Sequence, residues 1–384
     1  MHICVIGAGL SGATAARILA ERGHGVVVLD KDSIVGGLCQ TQLDPSGCRY
    51  EHYGCHAFHT DKDEVWNFVN RFASFSDYIH KKGILIGDTC FSYPLQMSEL
   101  KTLLSYSTFY KIEQELREIK SNISTCNNFE ETVIGMVGPT LYKLFVKNYT
   151  ATQWGIDPKE MLADWAPNRI EIRNDDDIRL FRNEKQGIPI QGYTSLVNEM
   201  LNHSNITYVP NYKVDSINIY RIKEQHDIVI CSAPVDDILH GNPSLPYRGG
   251  FFVYDWELDA KDIYWENDKF GTINYSKGRV LRKMNFGIIH QLGNSEGTVA
   301  FQYGDGSGRL YPILTKESKM RFHYLLNEAI IEDIIPFGRL GSFTYLDMDD
   351  AIYTAMQVVD LVEDWKSLLP WKKGSEWLKI FGGY

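Results

Sequence analysis

The sequence predicts an α/β fold in three parts: a discontinuous domain on a parallel, doubly wound sheet, a mainly helical insert, and an antiparallel sheet. Three observations carry this reading. An apolar strand, a glycine turn and a helical pattern open the chain; helical spacing dominates between about residues 62 and 160; and β-like alternation recurs from Tyr247 to Tyr303. At 384 residues the chain exceeds one small module, and its 44% hydrophobic and 23% charged content is that of a globular protein.

Residues 3–6 read as a buried parallel strand running straight into Gly7-Ala8-Gly9-Leu10-Ser11-Gly12, after which Ala13, Ala16, Leu19 and Ala20 fall at helical spacing. Gly23 is placed to end that helix, and Val26-Val27-Val28-Leu29 gives a second strand finishing at Asp30. This βαβ unit carries a dinucleotide fingerprint. Gly7 allows the tight turn, Gly9 lets the backbone approach a pyrophosphate, and Gly12 lets the helix lie close on the sheet. Ser11 belongs to the same loop, and the helix N-terminus offers unpaired N–H groups to phosphates. Asp30 follows Gly12 by 18 residues, close to the ~20 expected of a carboxylate that accepts hydrogen bonds from a ribose. Lys31 adjoins it. A glycine turn without a ligand is the plain alternative.

Next comes Ser33-Ile34-Val35-Gly36-Gly37-Leu38, with Gly37 and Leu38 one short turn past the ribose position. A Gly-Gly pair here resembles FAD proteins of the glutathione-reductase-like class, which favours FAD over NAD; an ordinary turn is the alternative. Val65, Phe68, Val69 and Phe72 recur at helical spacing, as do Leu141, Leu144, Phe145 and Tyr149. Short β-like runs at residues 84–86 and around Phe91 precede the alternating region, which a turn signal at Asp305-Gly306 closes. Residues 227–234 form a strand ending in Pro234 that suits a late strand of the first sheet. The expected boundaries are therefore 1–60, 190–240 and 325–384 for a Rossmann-like FAD-binding domain, 61–160 for the helical unit, and 161–189 with 241–324 for a lid and the antiparallel sheet.

The net charge of −10 argues against a nucleic-acid partner, because phosphate contacts need a basic surface. Any anionic ligand must meet local positive charge. Seven cysteines without a C-x-x-C pair suit neither a disulfide framework nor a zinc site, which points to the reducing cytoplasm. No stretch reaches the ~18 apolar residues of a membrane span, so no membrane insertion is expected. The 22 Tyr, 18 Phe and 8 Trp are enough to line a pocket for flat rings.

Five blocks together resemble the UDP-galactopyranose mutase family. They are the residues from Gly7 to Gly12; Tyr53-Gly54-Cys55-His56-Ala57-Phe58-His59-Thr60; Tyr149-Thr150-Ala151-Thr152-Gln153-Trp154-Gly155; Arg169 to Arg173 leading to Gln186-Gly187-Ile188-Pro189; and Phe337-Gly338-Arg339-Leu340-Gly341 with Tyr345-Leu346-Asp347-Met348-Asp349. The resemblance spans nearly the whole chain and implies a twisted antiparallel substrate sheet beside the FAD domain. It places His56 and His59 against the flavin, where the competing reading of this H-x-x-H pair as metal ligands lacks a third ligand cluster. Cys55 stands where the family usually has Pro. The resemblance further implies that Tyr149 stacks on uracil beside Phe145, with Thr152 in the same helix, and that Trp154 borders the sugar; the competing reading of these rings is core packing.

In the same resemblance Arg173, in a lid over residues 164–180 that includes Pro167 and Asn168, and Arg282 of the sheet clamp the diphosphate. Guanidinium forks suit phosphate oxygens. Arg279 competes with Arg282 for that role, and Asn274 lies on the same segment. Arg339 serves near both flavin and diphosphate, Tyr311 and Tyr345 contact the diphosphate, and Gly338, Asp347 and Met348 edge the flavin. Two departures bear on the sugar: His80 replaces the usual Asn and Leu180 the usual Tyr. Losing that hydroxyl removes a donor worth about 0.5–1.5 kcal/mol.

What the resemblance implies chemically is interconversion of pyranose and furanose forms of a UDP-sugar, most simply UDP-galactose. Reduced FAD attacks the anomeric carbon through N5, and the C4 hydroxyl recloses the ring. The flavin would be kept reduced by an external reductant such as NAD(P)H, and the protein is expected to be a homodimer. Competing readings are a mutase for another nucleotide sugar, such as a modified galactose or fucose, a flavin oxidoreductase of the amine-oxidase type, and a non-catalytic FAD-binding relative.

Overall fold

The computed structural model describes residues 1–119, 126–163, 170–239, 244–256, 269–292, 297–304 and 307–382. Its first sheet is wholly parallel. Strand His2–Ile6 lies at the centre, flanked by Gly25–Leu29 and then Ile206–Val209 on one side, and by Ile228–Cys231 and then Ile334–Pro336 on the other. Such a strand is covered on both faces, which is why its sequence is apolar throughout rather than alternating; Ile3, Cys4 and Val5 are fully buried. The order reverses direction at His2–Ile6, so the crevice opens where Gly7 and Ser232 leave neighbouring strand ends.

Helix Leu10–Glu21 follows at once, ends at Arg22 and turns at Gly23, whose φ of +87° is one that glycine adopts without strain. It rests against helix Met348–Asp364, which returns to the domain after some 330 intervening residues. Helix Asp63–Val69 agrees with the spacing of Val65, Phe68 and Val69, all three buried.

The helical pattern over residues 127–149 is not one helix. Phe129–Leu141 is interrupted at Gly138, with φ +82°, ahead of Pro139, which cannot donate a backbone hydrogen bond. A wide π-type turn, Tyr142–Val146, then leads into helix Lys147–Trp154.

The second sheet has six strands in the order Phe251–Asp255, Val299–Tyr303, Val280–Asn285, Thr272–Tyr275, Lys82–Ile86 and Thr89–Tyr93. It is antiparallel except where Thr272–Tyr275 runs parallel to Lys82–Ile86. The last two strands therefore pair with the sheet, although the sequence boundaries group them with the helical unit. Their hairpin has an unsatisfied backbone edge that Thr272–Tyr275 fills, a partner some 190 residues away that local periodicity does not reveal. Residues 164–169, the first part of the expected lid with Pro167, Asn168 and Arg169, and the turn signal Asp305-Gly306 lie outside the described residues. No helix among the described residues is long and apolar enough to cross a membrane.

Candidate active site

The crevice at the end of the parallel sheet is built by close backbone approach. A Cβ on Gly12 would sit 1.9 Å from the Gly7 carbonyl oxygen, and one on Gly7, where φ is +102°, would sit 2.4 Å from Ser232 Oγ. Gly9 is different: an added Cβ would meet Gly37 Cα at 3.8 Å and the Gly36 carbonyl oxygen at 4.0 Å, ordinary contact without a clash. Gly36 donates to the Ala8 carbonyl at 3.0 Å, which lays the Gly36-Gly37 pair along the glycine loop. Gly338 closes the other side, where an added Cβ would lie 2.9 Å from Ser11 Oγ.

Asp30 ends its strand with one carboxylate oxygen accepting from Ala8 N–H at 2.5 Å and the other from Asp32 N–H at 2.8 Å. Burial raises its pKa. Lys31 is exposed and Leu38 half-buried. Nδ1 of His52, Nδ1 of His56 and the Tyr208 hydroxyl are buried without a hydrogen-bond partner, and His52 and Tyr208 lie within reach of the Asp32 charge. A side-chain-free glycine loop together with these atoms fits a long polar ligand such as a dinucleotide.

Beyond the cradle the tyrosines and arginines interlock. Arg282 donates through Nε to Asn274 Oδ1 at 3.0 Å and through Nη2 to the Tyr149 hydroxyl at 2.9 Å. Asn274 is its register partner on the neighbouring strand. Against burial, which pulls it down, Tyr149 and Tyr311 keep the Arg282 pKa above its ordinary value. Arg279 sits in the exposed turn before Val280–Asn285, so of the two candidates Arg282 is the one facing the tyrosines. Arg339 lies over the rings of Tyr311 and Tyr345, 5.3 and 5.1 Å from their centroids, and is held by the Leu346 carbonyl at 2.9 Å. Those rings are parallel at 5.8 Å, and Trp154 stands edge-on to both. Asp347 is the residue before helix Met348–Asp364, and Met348, half-buried, begins it.

His56 lies within electrostatic reach of both guanidiniums. Burial first, then the Arg339 and Arg282 guanidiniums, push its pKa down to about 4 from an ordinary 6.5. The imidazole is therefore neutral near pH 7. Below pH 6.5 the unfolded chain binds a proton at this residue that the folded chain refuses until about pH 4, so stability must fall with pH across that window. The protein is expected to be about 2 kcal/mol less stable at pH 5 than at pH 7 on account of this group. Urea unfolding of wild type and His56→Gln at both pH values checks it; equal pH slopes for the two proteins would reject this role.

The expected lid is anchored in two places. Strand Ile172–Arg173 pairs with Leu95–Gln96, and Leu180 N–H donates to the His80 carbonyl at 2.8 Å. The two departures that bear on the sugar, His80 and Leu180, thus meet through one backbone bond. His80 is 4% exposed, its Nδ1 2.9 Å from the Tyr78 hydroxyl and its Nε2 3.3 Å from Thr272 Oγ1. Burial holds it neutral, well below the ordinary histidine range. His59, opposite Gln186 on the lid's return strand, has its ring 3.5 Å from that of Phe181, nearly parallel, and Nδ1 3.1 Å from Asn183 Oδ1.

Arg173 does not face the tyrosines. It is 3% exposed, with Nε on Glu171 at 2.7 Å and Nη1 on the carbonyls of Asp177 and Arg179 at 2.9 and 2.5 Å. Its donors hold its own loop, and contact with a diphosphate would require that loop to rearrange. Arg173→Ala is expected to speed tryptic cleavage after Arg179 and Arg182 by at least about tenfold, since each lost charge-assisted bond is worth about 1.5–3 kcal/mol. An unchanged cleavage rate would show that the loop is held by other contacts.

Phe145 also departs from its expected place. It is 2% exposed, edge-on to Phe91 at 5.1 Å inside the helical core, so the competing core reading is the one its packing supports. Thr152 gives its hydroxyl to the Asn148 carbonyl, an ordinary bond within its helix. Arg248 was not foreseen. Its Nε and Nη2 take the Gln153 and Thr152 carbonyls at 2.9 and 2.8 Å and so cap the helix that carries Tyr149 and Trp154. Nor was the pairing of Lys62 with Asp349 and Asp350 at 3.0 and 2.9 Å, which ties the His56 to Thr60 segment to helix Met348–Asp364; the paired acids opening that helix were the visible signal.

A model of the UDP-galactopyranose mutase family matches residues 144–345, and one of NAD(P)-binding Rossmann-like domains matches residues 5–72. The chain is 30% identical over 377 residues to the dTDP-fucopyranose mutase of Escherichia coli, covering 94% of this chain and 97% of that protein. It is likewise 30% identical over 372 residues to a probable UDP-galactopyranose mutase of Klebsiella pneumoniae, covering 94% of each. A crystal structure of reduced UDP-galactopyranose mutase shares the fold with a TM-score of 0.74 over 94% of this chain and 95% of that one, at 14% identity.

Proposed function

Because this chain belongs to the UDP-galactopyranose mutase family of isomerases, we propose that it interconverts pyranose and furanose forms of a nucleotide sugar with FAD as cofactor, UDP-galactose being the first substrate to test. The observation that carries the reading is the pair of guanidiniums, Arg282 and Arg339, set among Tyr149, Tyr311, Tyr345 and Trp154 and both acting on His56. In a chain of net charge −10 this is a local anion site walled by flat rings, as a base and diphosphate require.

Gly7, Gly9, Gly12, Gly37 and Asp30 would hold the dinucleotide, with Gly338, Arg339 and the segment from His56 to His59 beside its ring system. When bound and reduced, a flavin supplies the nucleophile for the anomeric carbon. The protein's own part is electrostatic and positional. Arg282 and Arg339 neutralise the charge that grows on the departing diphosphate, and the tyrosine hydroxyls donate to its oxygens. His56, neutral near pH 7, adds no third cation and can accept or donate one hydrogen bond through its unpartnered Nδ1. The reductant in this reading is external, such as NAD(P)H, and the working form a cytoplasmic homodimer.

A second substrate is favoured by one contact. Leu180, bonded to His80, brings an apolar side chain to the lid where the family resemblance expects a tyrosine hydroxyl, and a 6-deoxy sugar such as fucose presents a methyl group where galactose has a hydroxyl. The purified protein, reduced with dithionite, should convert one of UDP-galactopyranose or dTDP-fucopyranose to its furanose form, followed chromatographically. Conversion with oxidised flavin alone, or consumption of stoichiometric oxidant, would reject the mutase reading; a colourless protein would remove the flavin.

A further inference from the structure

Within residues 171–182 the lid carries four carboxylates, Glu171, Asp175, Asp176 and Asp177, and three arginines, Arg173, Arg179 and Arg182. Most of them pair locally. Arg179 is engaged by both oxygens of Asp177, and Asp176 takes the Ser98 hydroxyl. Glu171 differs, because each of its oxygens is held by a different guanidinium. Oε2 accepts from Arg173 Nε at 2.7 Å, with Nη2 at the same distance, and Oε1 accepts from Arg182 Nε and Nη2 at 3.2 and 3.1 Å. Two guanidinium forks closing on one anion, an oxygen apiece, is an arrangement in which arginines hold a phosphate. Against burial, which pushes it up, the bonds from Arg173 and Arg182 keep the Glu171 pKa below its ordinary value.

The anion between these forks can leave without uncoiling the lid. Arg173 Nη1 is bonded to the backbone carbonyls of Asp177 and Arg179, Gln96 Nε2 takes the same Asp177 carbonyl at 2.7 Å, and Ile172–Arg173 pairs with Leu95–Gln96. None of these contacts involves the Glu171 side chain. That side chain is 44% exposed, whereas the side chain of Arg173 is 2% exposed. An exposed carboxylate thus neutralises a buried guanidinium, and rotation of the Glu171 side chain is enough to remove it. The lid is also fastened close to the sheet's arginine: Leu180 is bonded to the His80 carbonyl, and His80 lies within electrostatic reach of Arg282.

We propose that Glu171 is an internal stand-in for the substrate's diphosphate. It fills the forks of Arg173 and Arg182 in the free protein, and the diphosphate binds by taking its place, so Arg182 joins Arg173 as a ligand and Glu171 sets the affinity as a competitor. This rests on the nucleotide-sugar reading above. The anion that enters must outweigh a carboxylate already held by two guanidiniums, which favours the multiple charge of a diphosphate over a single one.

Titration calorimetry of the full chain with UDP and with dTDP reads the exchange without turnover. Glu171→Gln removes the charge and keeps the size, and it should tighten binding of the nucleoside diphosphate by about five- to tenfold, the worth of one charge-assisted contact at a partly exposed site. Glu171→Ala should change the affinity in the same direction. Adding Arg173→Ala or Arg182→Ala to Glu171→Gln should each cancel the gain. A carboxylate that only braces the lid would act the other way, since its loss would loosen the loop; weaker or unchanged binding in Glu171→Gln, with the wild type binding, therefore overturns the proposal. A gain that survives Arg182→Ala would overturn the place of Arg182 in the site. Absence of binding to the wild type and to Glu171→Gln alike would reject the nucleotide-sugar reading itself, and this inference with it.

Discussion

Replacing Arg282 with alanine is expected to lower kcat/KM for the nucleotide sugar by about 10²–10³-fold, the usual cost of removing one preorganised group at a developing negative charge. The argument rests on how the side chain is held. Two of its five N–H donors go to Asn274 and Tyr149, which fix the plane of the fork and leave the others for an anion. Arg282→Lys keeps the charge and loses the fork, so it should recover only part of the loss. Alanine also leaves the Tyr149 and Asn274 polar groups without their partner, at about 1–3 kcal/mol, and a melting curve separates that cost from the catalytic one. An alanine variant within threefold of wild type would show that the anion is held elsewhere.

The second large effect concerns the cradle. Gly12→Ala would place a methyl group 1.9 Å from the Gly7 carbonyl, a contact that only movement of the backbone can relieve, because both partners lie on the strand-to-helix turn. The expected result is a protein destabilised by about 3 kcal/mol, the upper end for overpacking a tight site, and purified without bound flavin. Gly9→Ala is the informative control. Its Cβ meets nothing nearer than 3.8 Å, so the protein should fold with near-wild-type stability and still lose cofactor, since the methyl group would fill the ligand's space. If Gly9→Ala stays yellow, the pyrophosphate does not cross that face.

The sequence was most legible where function depends on near neighbours. The glycine loop and Asp30 lie within one βαβ unit and were read from spacing, and the Gly36-Gly37 pair just beyond it was read from a resemblance to FAD proteins; the bond from Gly36 N–H to the Ala8 carbonyl lays that pair against the loop. It was least legible where a side chain's partner is remote or its direction is not encoded in periodicity. Phe145 and Tyr149 are four apart on one helical pattern, yet Phe145 lies in the π-type turn and packs into the core, whereas Tyr149 lies in the helix that follows and meets Arg282. Arg173 was visible as a lid arginine, but whether its donors are free or spent on its own loop is decided by how residues 171–179 coil around it. Arg248 finds its carbonyls 95 residues upstream, beyond any local signal. The pairing of Leu180 with His80 has the same cause.

The order of strands in the parallel sheet also governs how the chain can be made. His2–Ile6 is flanked by strands that begin at residues 25 and 228, and the far edge arrives only with residue 334. Translation at about 5–20 residues per second therefore releases the sheet's central strand long before the partner that covers its second edge. For tens of seconds a nascent chain holds an apolar strand with an open edge, able to pair with another molecule. High contact order of this kind slows folding after release as well. Expression yield should then respond to temperature and chaperone supply more than to surface substitutions, and chains ending before residue 334 should be recovered as aggregate.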